Sequence, residues 1–506
     1  MAGWWQRSID AVRRPSADRW LVPLFFTALA LARAGRFEER DPYWEARAGM
    51  ENLAGWPLAR PDTWSWSGVA GPWYQNSPLW NDLLGLAFQA GGYWGFYLLT
   101  ATAIAAYFAI VYALALRLGA RRLPALVGMM IAVAPAWSMI SPRATIVVQL
   151  LILGSVLLAM VAAERWLPVW PPWASTLTVL AASAALSVVG NWLHLSFLLF
   201  SPMLAGAWGI VWWFSGLGIR RWLAVSVAGV VGWGSGVILS PYGWQLGWER
   251  TRVVQQVCDG LILEWTTPFQ LGISPVFWLM AAAATLVAAA AMLVFWRAAQ
   301  GSWDANRGGA LVLLLIGVPT TIAGWFAIRF LGIALLTLAP LAAVAVTAGV
   351  DALRSWMRHR PATRWREYST GAFWRVVLAA TMVLLSPGLI FLVSLHAVPD
   401  ENRAIARLPA GCRLFSTGAI SGAALLLRPD LTVWIDGRAD FYGREHLLQT
   451  YAFFGVRAAS VVPEGADCIL LEPGEEGAGP LVAAISASPQ WRLASDDGRY
   501  RIWLPA

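Results

Sequence analysis

The chain has no lysine, only four histidines and three cysteines, and charged residues make up just 13% of its 506 positions. Each scarcity excludes something. Three cysteines, Cys258, Cys412 and Cys468, are too few for a cross-linked scaffold or a four-thiolate zinc cage. Free buried thiols are the expected state, with a Cys412–Cys468 disulfide as the alternative if that part of the chain faces an oxidising space. So little charge cannot solvate a chain that is 58% apolar with a mean hydropathy of +0.57, so the bilayer must be its main solvent. The phosphate loop GxxxxGK and the motifs HExxH, GxSxG and CxxC are all missing, so ATP-driven transport and zinc proteolysis lose their usual supports.

All 37 basic residues are therefore arginine, against 29 acids, for a net charge of +8. Their distribution argues against a nucleic-acid partner. Residues 1–395 hold 27 arginines and 16 acids, whereas residues 396–506 hold 10 and 13. Eighteen of the 27 lie in alternate loops: Arg7 to Arg19; Arg117, Arg121 and Arg122; Arg165; Arg220 and Arg221; Arg297 and Arg307; and Arg354 to Arg375. That is positive-inside patterning, which assigns those loops to the cytoplasm, whereas nucleic-acid binding requires the basic groups on one folded face.

A crossing helix needs about 20 apolar residues. Residues 1–19 read as a cytoplasmic N-terminus and Trp20 to Gly35 as an uncleaved anchor. Further spans follow near 92–117, 123–140, 144–163, 173–190, 192–215, 221–240, 273–296, 309–325, 328–350 and 374–396. The expectation is thus an α-helical polytopic membrane domain over 20–396, with eleven crossings, a first outer loop at 36–78 and an extracytoplasmic C-terminus. The apolar piece Leu79 to Gln89 is too short to cross and reads as an interfacial helix. Beyond His396 the pattern changes. Short apolar runs at 412–416, 431–436 and 468–472 alternate with helical stretches, and WRLASDDGRYRIWL reads as a hairpin. Residues 397–506 are expected to form a small α/β domain with a mainly parallel sheet. The 33 tryptophans read as compositional bias and interfacial anchors.

On this topology the unusual polar groups share one side, the outer one. The first loop holds Glu38, Glu39, Asp41, Glu45, Glu51 and Asp62; later span ends add Ser141-Pro142-Arg143, Asn191 to His194, Pro241-Tyr242-Gly243, Glu264-Trp265 and Arg329. Ionisable groups at a membrane edge are costly, and their convergence is what a polar cavity open to that side would produce. Asp41 and Glu45, four apart on one helical face, form either a solvated acidic helix or a pair that takes an acceptor's proton or holds a divalent cation. His194 reads as a hydrogen-bonding core residue or a site residue. Arg143 either snorkels or binds an anion. Arg329, flanked by apolar residues, calls for a partner or an anionic ligand such as phosphate, and Glu264 is a candidate partner.

In order, these residues resemble a family of bacterial multi-span proteins with GT-C glycosyltransferase architecture, akin to mannosyl- and aminoarabinosyltransferases that use lipid-linked sugars. The resemblance rests on Asp41-Pro-Tyr-Trp44-Glu45 through Gly49, Pro61-Asp62-Thr-Trp-Ser65, the span-end motifs above, and Ile435-Asp436-Gly437-Arg438-Ala-Asp440-Phe-Tyr442-Gly443. Glu45 stands where the family commonly has histidine. The resemblance implies sugar transfer from a polyprenyl-phosphate donor to a cell-envelope glycan or protein acceptor at the outer face of the cytoplasmic membrane, with Asp41 as acceptor-side base or metal neighbour. Asn191, His194, Tyr242, Arg143, Glu264 and Arg329 would then bind substrate. Asp436, Arg438 and Asp440 form a loop that either pairs internally or docks an acceptor. A carrier for a lipid-linked precursor and a non-catalytic scaffold with an outer binding domain are the readings from other classes.

Overall fold

In hydrocarbon the backbone must satisfy its own N–H and C=O groups, so long runs of alanine, leucine and valine become helices. The computed structural model describes residues 14–34, 41–270, 274–298, 303–358, 374–380, 382–383, 399–475 and 477–506. Within them α1 (Asp18–Ala34) is followed by a short helix, α2 (Asp41–Leu53), and by a two-stranded ribbon, β1 (Ala59–Pro61) with β2 (Pro72–Tyr74). Nine helices among the described residues are long and apolar enough to cross a bilayer. They are α3 (Pro78–Arg117), α4 (Arg122–Val133, continued by a 3-10 turn to Met139), α5 (Ala144–Val161), α6 (Pro172–Leu193), α7 (Phe197–Phe214), α8 (Ile219–Ile238), α10 (Pro275–Ala298), α11 (Ala305–Gly324) and α12 (Arg329–Arg358). Between α8 and α10 lies the polar helix α9 (Gly243–Cys258). With α1, at 17 residues, ten of the eleven expected crossings are accounted for. The eleventh, expected at 374–396, falls mostly outside the described residues.

At 40 residues α3 is about 60 Å long, roughly twice the hydrocarbon core. It does not run straight. Gly92 takes φ 56° and ψ −142°, a backbone state that side chains resist, and divides the helix. The segment from Leu79 to Gln89 therefore packs on α2 instead of making a crossing of its own. The two helices meet at glycines: a Cβ on Gly49 would lie 1.8 Å from the carbonyl oxygen of Asn81, and one on Gly85 would lie 2.6 Å from the nitrogen of Met50.

The C-terminal domain is a five-stranded sheet in the order β4 (Thr432–Val433), β3 (Arg413–Phe415), β5 (Cys468–Leu471), β7 (Arg501–Pro505), β6 (Trp491–Asp496). The first three are parallel, linked through α13 (Gly418–Leu427) and α14 (Ala439–Phe454), and the last two form the expected hairpin, so the sheet is mixed. The loop between α2 and α3 adds to its edge. Val433 N–H donates to the Trp64 carbonyl (2.8 Å), Trp66 N–H donates to the Val433 carbonyl (3.1 Å), and the Trp66 indole reaches the Leu414 carbonyl (3.2 Å). A single apolar core runs from Tyr43, Trp44, Trp64 and Trp73 into Leu414, Phe415 and Val433, so the domain is built onto the bundle.

The expectation of free thiols is corrected here. Cys412 and Cys468 form a disulfide, because the crossover that makes β3 and β5 neighbours brings together residues 56 apart in sequence. Cys258 is buried and free. At the other end of the bundle, Arg117 pairs with Glu164, Arg121 with Asp351, and Arg375 with Asp18. This end is called the arginine face below, and the end carrying the sheet the domain face. In unreduced, denatured protein, thiol-specific labelling should find one reactive cysteine, and prior reduction should raise the count to three; three labels without reduction would contradict the disulfide.

Candidate active site

Three loops from distant parts of the chain deliver one charged cluster at the domain face. Asp41 opens α2, where a carboxylate favours the helix dipole and Pro42 suits the first turn. Arg143 is the extended residue capping α5, behind Pro142, whose carbonyl is held by the Trp80 indole at 3.1 Å. Glu264 lies in a 3-10 turn between α9 and α10. Arg143 bridges the two acids: Nη2 donates to Asp41 Oδ2 at 2.5 Å and Nη1 to Glu264 Oε1 at 2.6 Å. The three side chains keep 28%, 21% and 23% exposure, in the order Arg143, Asp41, Glu264, so the cluster is set deep yet open to a ligand. Burial raises the pKa of Asp41, with Glu264 and Asp436 adding to the rise, while Arg143 and the Trp44 indole (3.1 Å to Oδ1) pull against it.

Two more of the expected residues border this cluster. Arg329, the first residue of α12, stacks on Trp265 at 4.4 Å, and Ile328 N–H donates to the Thr266 carbonyl (3.0 Å), which ties that turn to the loop of Glu264. His194 sits in the break between α6 and α7. Burial, with Arg329 and Arg143 close by, pushes its pKa down to about 3. Ser196 N–H donates to His194 Nδ1 at 3.0 Å, so the neutral ring carries its proton on Nε2. Glu45 is buried on α2, one turn beyond Asp41.

Two residues expected to bind substrate are used elsewhere. Asn191 is fully buried between α6 and α7, its amide donating to the Ser187 carbonyl (2.8 Å) and to Ser201 Oγ (3.2 Å). A polar side chain at that depth must find partners, and the amide N–H groups find theirs inside the bundle. The Tyr242 hydroxyl accepts from Gln75 N–H (2.9 Å) and donates to the Gln75 carbonyl (3.1 Å), stapling the loop between α2 and α3 to the start of α9.

The loop of Asp436 forms a second, closed cluster. Arg438 is 1% exposed and donates to Asp436 Oδ2 (2.7 Å) and Asp62 Oδ1 (2.7 Å), with its guanidinium over Trp64 (4.5 Å) and Trp73 (4.9 Å). The internal pair of that loop is thus Asp436–Arg438, whereas Asp440 pairs with Arg250 of α9 at 3.2 Å. Asp62 also accepts from Ser65 N–H (2.9 Å) and Oγ (2.5 Å), which explains the spacing Asp-x-x-Ser after Pro61 as a local turn. Burial would raise the pKa of Asp62, but Arg438 and Ser65 outweigh it and hold the carboxyl below its usual range. Between the two clusters lies Gly437: a Cβ there would stand 1.9 Å from Asp41 Oδ1 and 2.4 Å from Trp44 Nε1. The C-terminal domain therefore forms a wall of the Asp41 site. Sequence reading named Trp44, Trp64 and Trp265 only within motifs and gave them no role, and it missed Trp73, one of 33 tryptophans.

No protein-family model and no curated protein matches the chain. In three dimensions 97% of it aligns with 75% of the archaeal oligosaccharyltransferase AglB from Archaeoglobus fulgidus, in complex with an inhibitory peptide and a dolichol-phosphate (TM-score 0.55, 12% identity). It aligns over 99% of its length with 98% of ArnT from Cupriavidus metallidurans bound to undecaprenyl phosphate (TM-score 0.52, 14% identity). At these identities the likeness is one of fold. The chain has the GT-C-like architecture that its motifs implied, a multi-span helical domain with a small C-terminal domain.

Arg438→Met should destabilise the protein by about 3–5 kcal/mol, because it leaves Asp62 and Asp436 buried without their cation. Thermal unfolding in detergent checks this, with Arg413→Ala on the exposed Asp467 pair as the control expected to melt like wild type. Equal melting of the two variants would show that the buried cluster does not hold the domain.

Proposed function

We propose that this protein is a membrane glycosyltransferase that moves a sugar from a polyprenyl-phosphate donor to a glycan or protein acceptor of the cell envelope. The observation that carries the reading is Arg143 held between Asp41 and Glu264 at the open end of a GT-C-like fold. In the proposed step the acceptor's O–H or N–H gives its proton to Asp41 as the acceptor atom bonds to the anomeric carbon. The bond from that carbon to phosphate oxygen breaks, and the electron pair leaves with polyprenyl phosphate. Arg143, with Arg329 as a second cation nearby, meets the negative charge that develops on the leaving group. His194, neutral with Nε2–H, offers a hydrogen bond without adding charge.

A raised Asp41 pKa suits this role, since a base works best when its pKa approaches the working pH. Asp41 was also the candidate neighbour of a divalent cation. Among the described residues no three of His, Cys, Asp or Glu gather as a ligand set, and the two carboxylates that approach each other hold a guanidinium between them. We therefore assign the cationic role to Arg143 and route no step through a metal.

The domain face is read as non-cytoplasmic in the cytoplasmic membrane: the arginine-rich loops lie at the opposite end, and a disulfide persists in an oxidising compartment. A carrier would place ionisable groups at mid-bilayer depth. In the nine long spans every Asp, Glu and Arg lies within eight residues of an end, which favours the enzyme.

Purified protein incubated with radiolabelled polyprenyl-phosphate sugars and candidate acceptors should transfer label, and Asp41→Asn should lose on the order of 10²–10⁴-fold in turnover. Activity should fall as pH drops through the raised Asp41 pKa. Arg143→Ala removes the charge that opposes that rise, so its residual activity should begin to fall at a higher pH than wild type. Equal turnover by Asp41→Asn would remove Asp41 from the mechanism.

A further inference from the structure

Away from the charged cluster, α1 and α3 part to leave a groove of about 830 Å³. That lies within the 300–1,000 Å³ typical of ligand clefts. Small side chains, among them Ala30, Ala101, Ala105 and Ala109, make it deep, and Phe26 and Leu98 line its walls. It follows α3 from Leu98 to Leu116, about 27 Å of helix against a hydrocarbon core of ~30 Å. A groove of this shape accepts a long apolar chain.

Its two ends differ. Leu31 and Leu98 line its end toward the domain face, whereas Asp18, Arg19 and Arg122 rim it at the arginine face. Asp18 is buried and already engaged, with Arg375 at 2.6 Å and Arg122 at 3.5 Å. The Arg122 side chain is nonetheless 59% exposed, and Arg19 is exposed as well, so the mouth carries a surplus of accessible positive charge. Basic mouths between helices at a membrane interface bind anionic headgroups, each arginine adding about 1 kcal/mol, or roughly five-fold.

We propose that this groove binds an anionic phospholipid of the leaflet at the arginine face, with its phosphate at Arg19 and Arg122 and an acyl chain along α3. The site is distinct from the donor site: a phosphate held there lies a membrane thickness from Asp41. It does not depend on the glycosyltransferase reading.

Native mass spectrometry of the full-length protein, offered equal phosphatidylglycerol and phosphatidylcholine of matched chains, tests it. Wild type should retain phosphatidylglycerol in excess by roughly ten-fold or more. Arg19→Gln and Arg122→Gln should each lower that ratio about five-fold. Ala109→Trp, at an exposed lining position, should abolish retention of both lipids, and Thr102→Trp, also exposed, tests the same filling if Ala109→Trp loses its melting transition. Equal retention of the two lipids, an unchanged ratio in both arginine variants, or full retention by the filled variants would overturn the proposal. Displacement of phosphatidylglycerol by undecaprenyl phosphate at equal concentration would also overturn it, by reassigning the groove to the polyprenyl lipid.

Discussion

Arg438 is buried between Asp62 of the loop joining α2 to α3 and Asp436 of the C-terminal domain, and both bodies of the protein are arranged around it. A guanidinium at 1% exposure is tolerable only with its charge matched and its donors used, and here two carboxylates and two indole faces do both. The consequence reaches beyond docking. The same loop brings Gly437 against Asp41 and Trp44, a contact that no residue with a side chain could make. The edge strand formed by Trp64 to Trp66 on β4 then extends the attachment into backbone hydrogen bonds. A soluble domain held this way is part of the site.

Arg438 and Arg143 thus each lie between two carboxylates, with opposite exposure. Arg438 is sealed, and its pairing is spent on structure. Arg143 retains 28% of its side-chain surface and faces acids that keep a fifth or more of theirs. In the sealed cluster, losing a partner leaves a buried charge; in the open one, an arriving anion can take the place of a carboxylate at modest cost. That contrast, more than the shared chemistry, is why the proposed function assigns the leaving group to Arg143 and not to Arg438.

How much of this the chain announces depends on the range of the interaction. Spans are legible because a backbone in lipid has few alternatives, and charge at the span ends orients them. Convergence of Asp41, Arg143, Glu264, His194 and Arg329 follows from topology alone. Which acid pairs with which arginine does not: Glu264 is adjacent to the Arg329 loop yet bonds to Arg143. Asn191 and Tyr242 carry the same polar signature at span ends as the site residues, but packing and loop stapling consume them. The disulfide was hidden for a related reason, since β3 and β5 become neighbours only through a crossover. The tryptophans that touch the charged groups are chemically indistinguishable in sequence from those that face lipid.

The most direct test of the central claim is a structure of the protein with a bound polyprenyl phosphate, determined in a lipid bilayer mimic. The account predicts phosphate density within about 3 Å of the Arg143 guanidinium, with Asp41 or Glu264 released from its bond to that residue. A phosphate found only at the arginine face, with the Arg143 bridge to both acids intact, would contradict it.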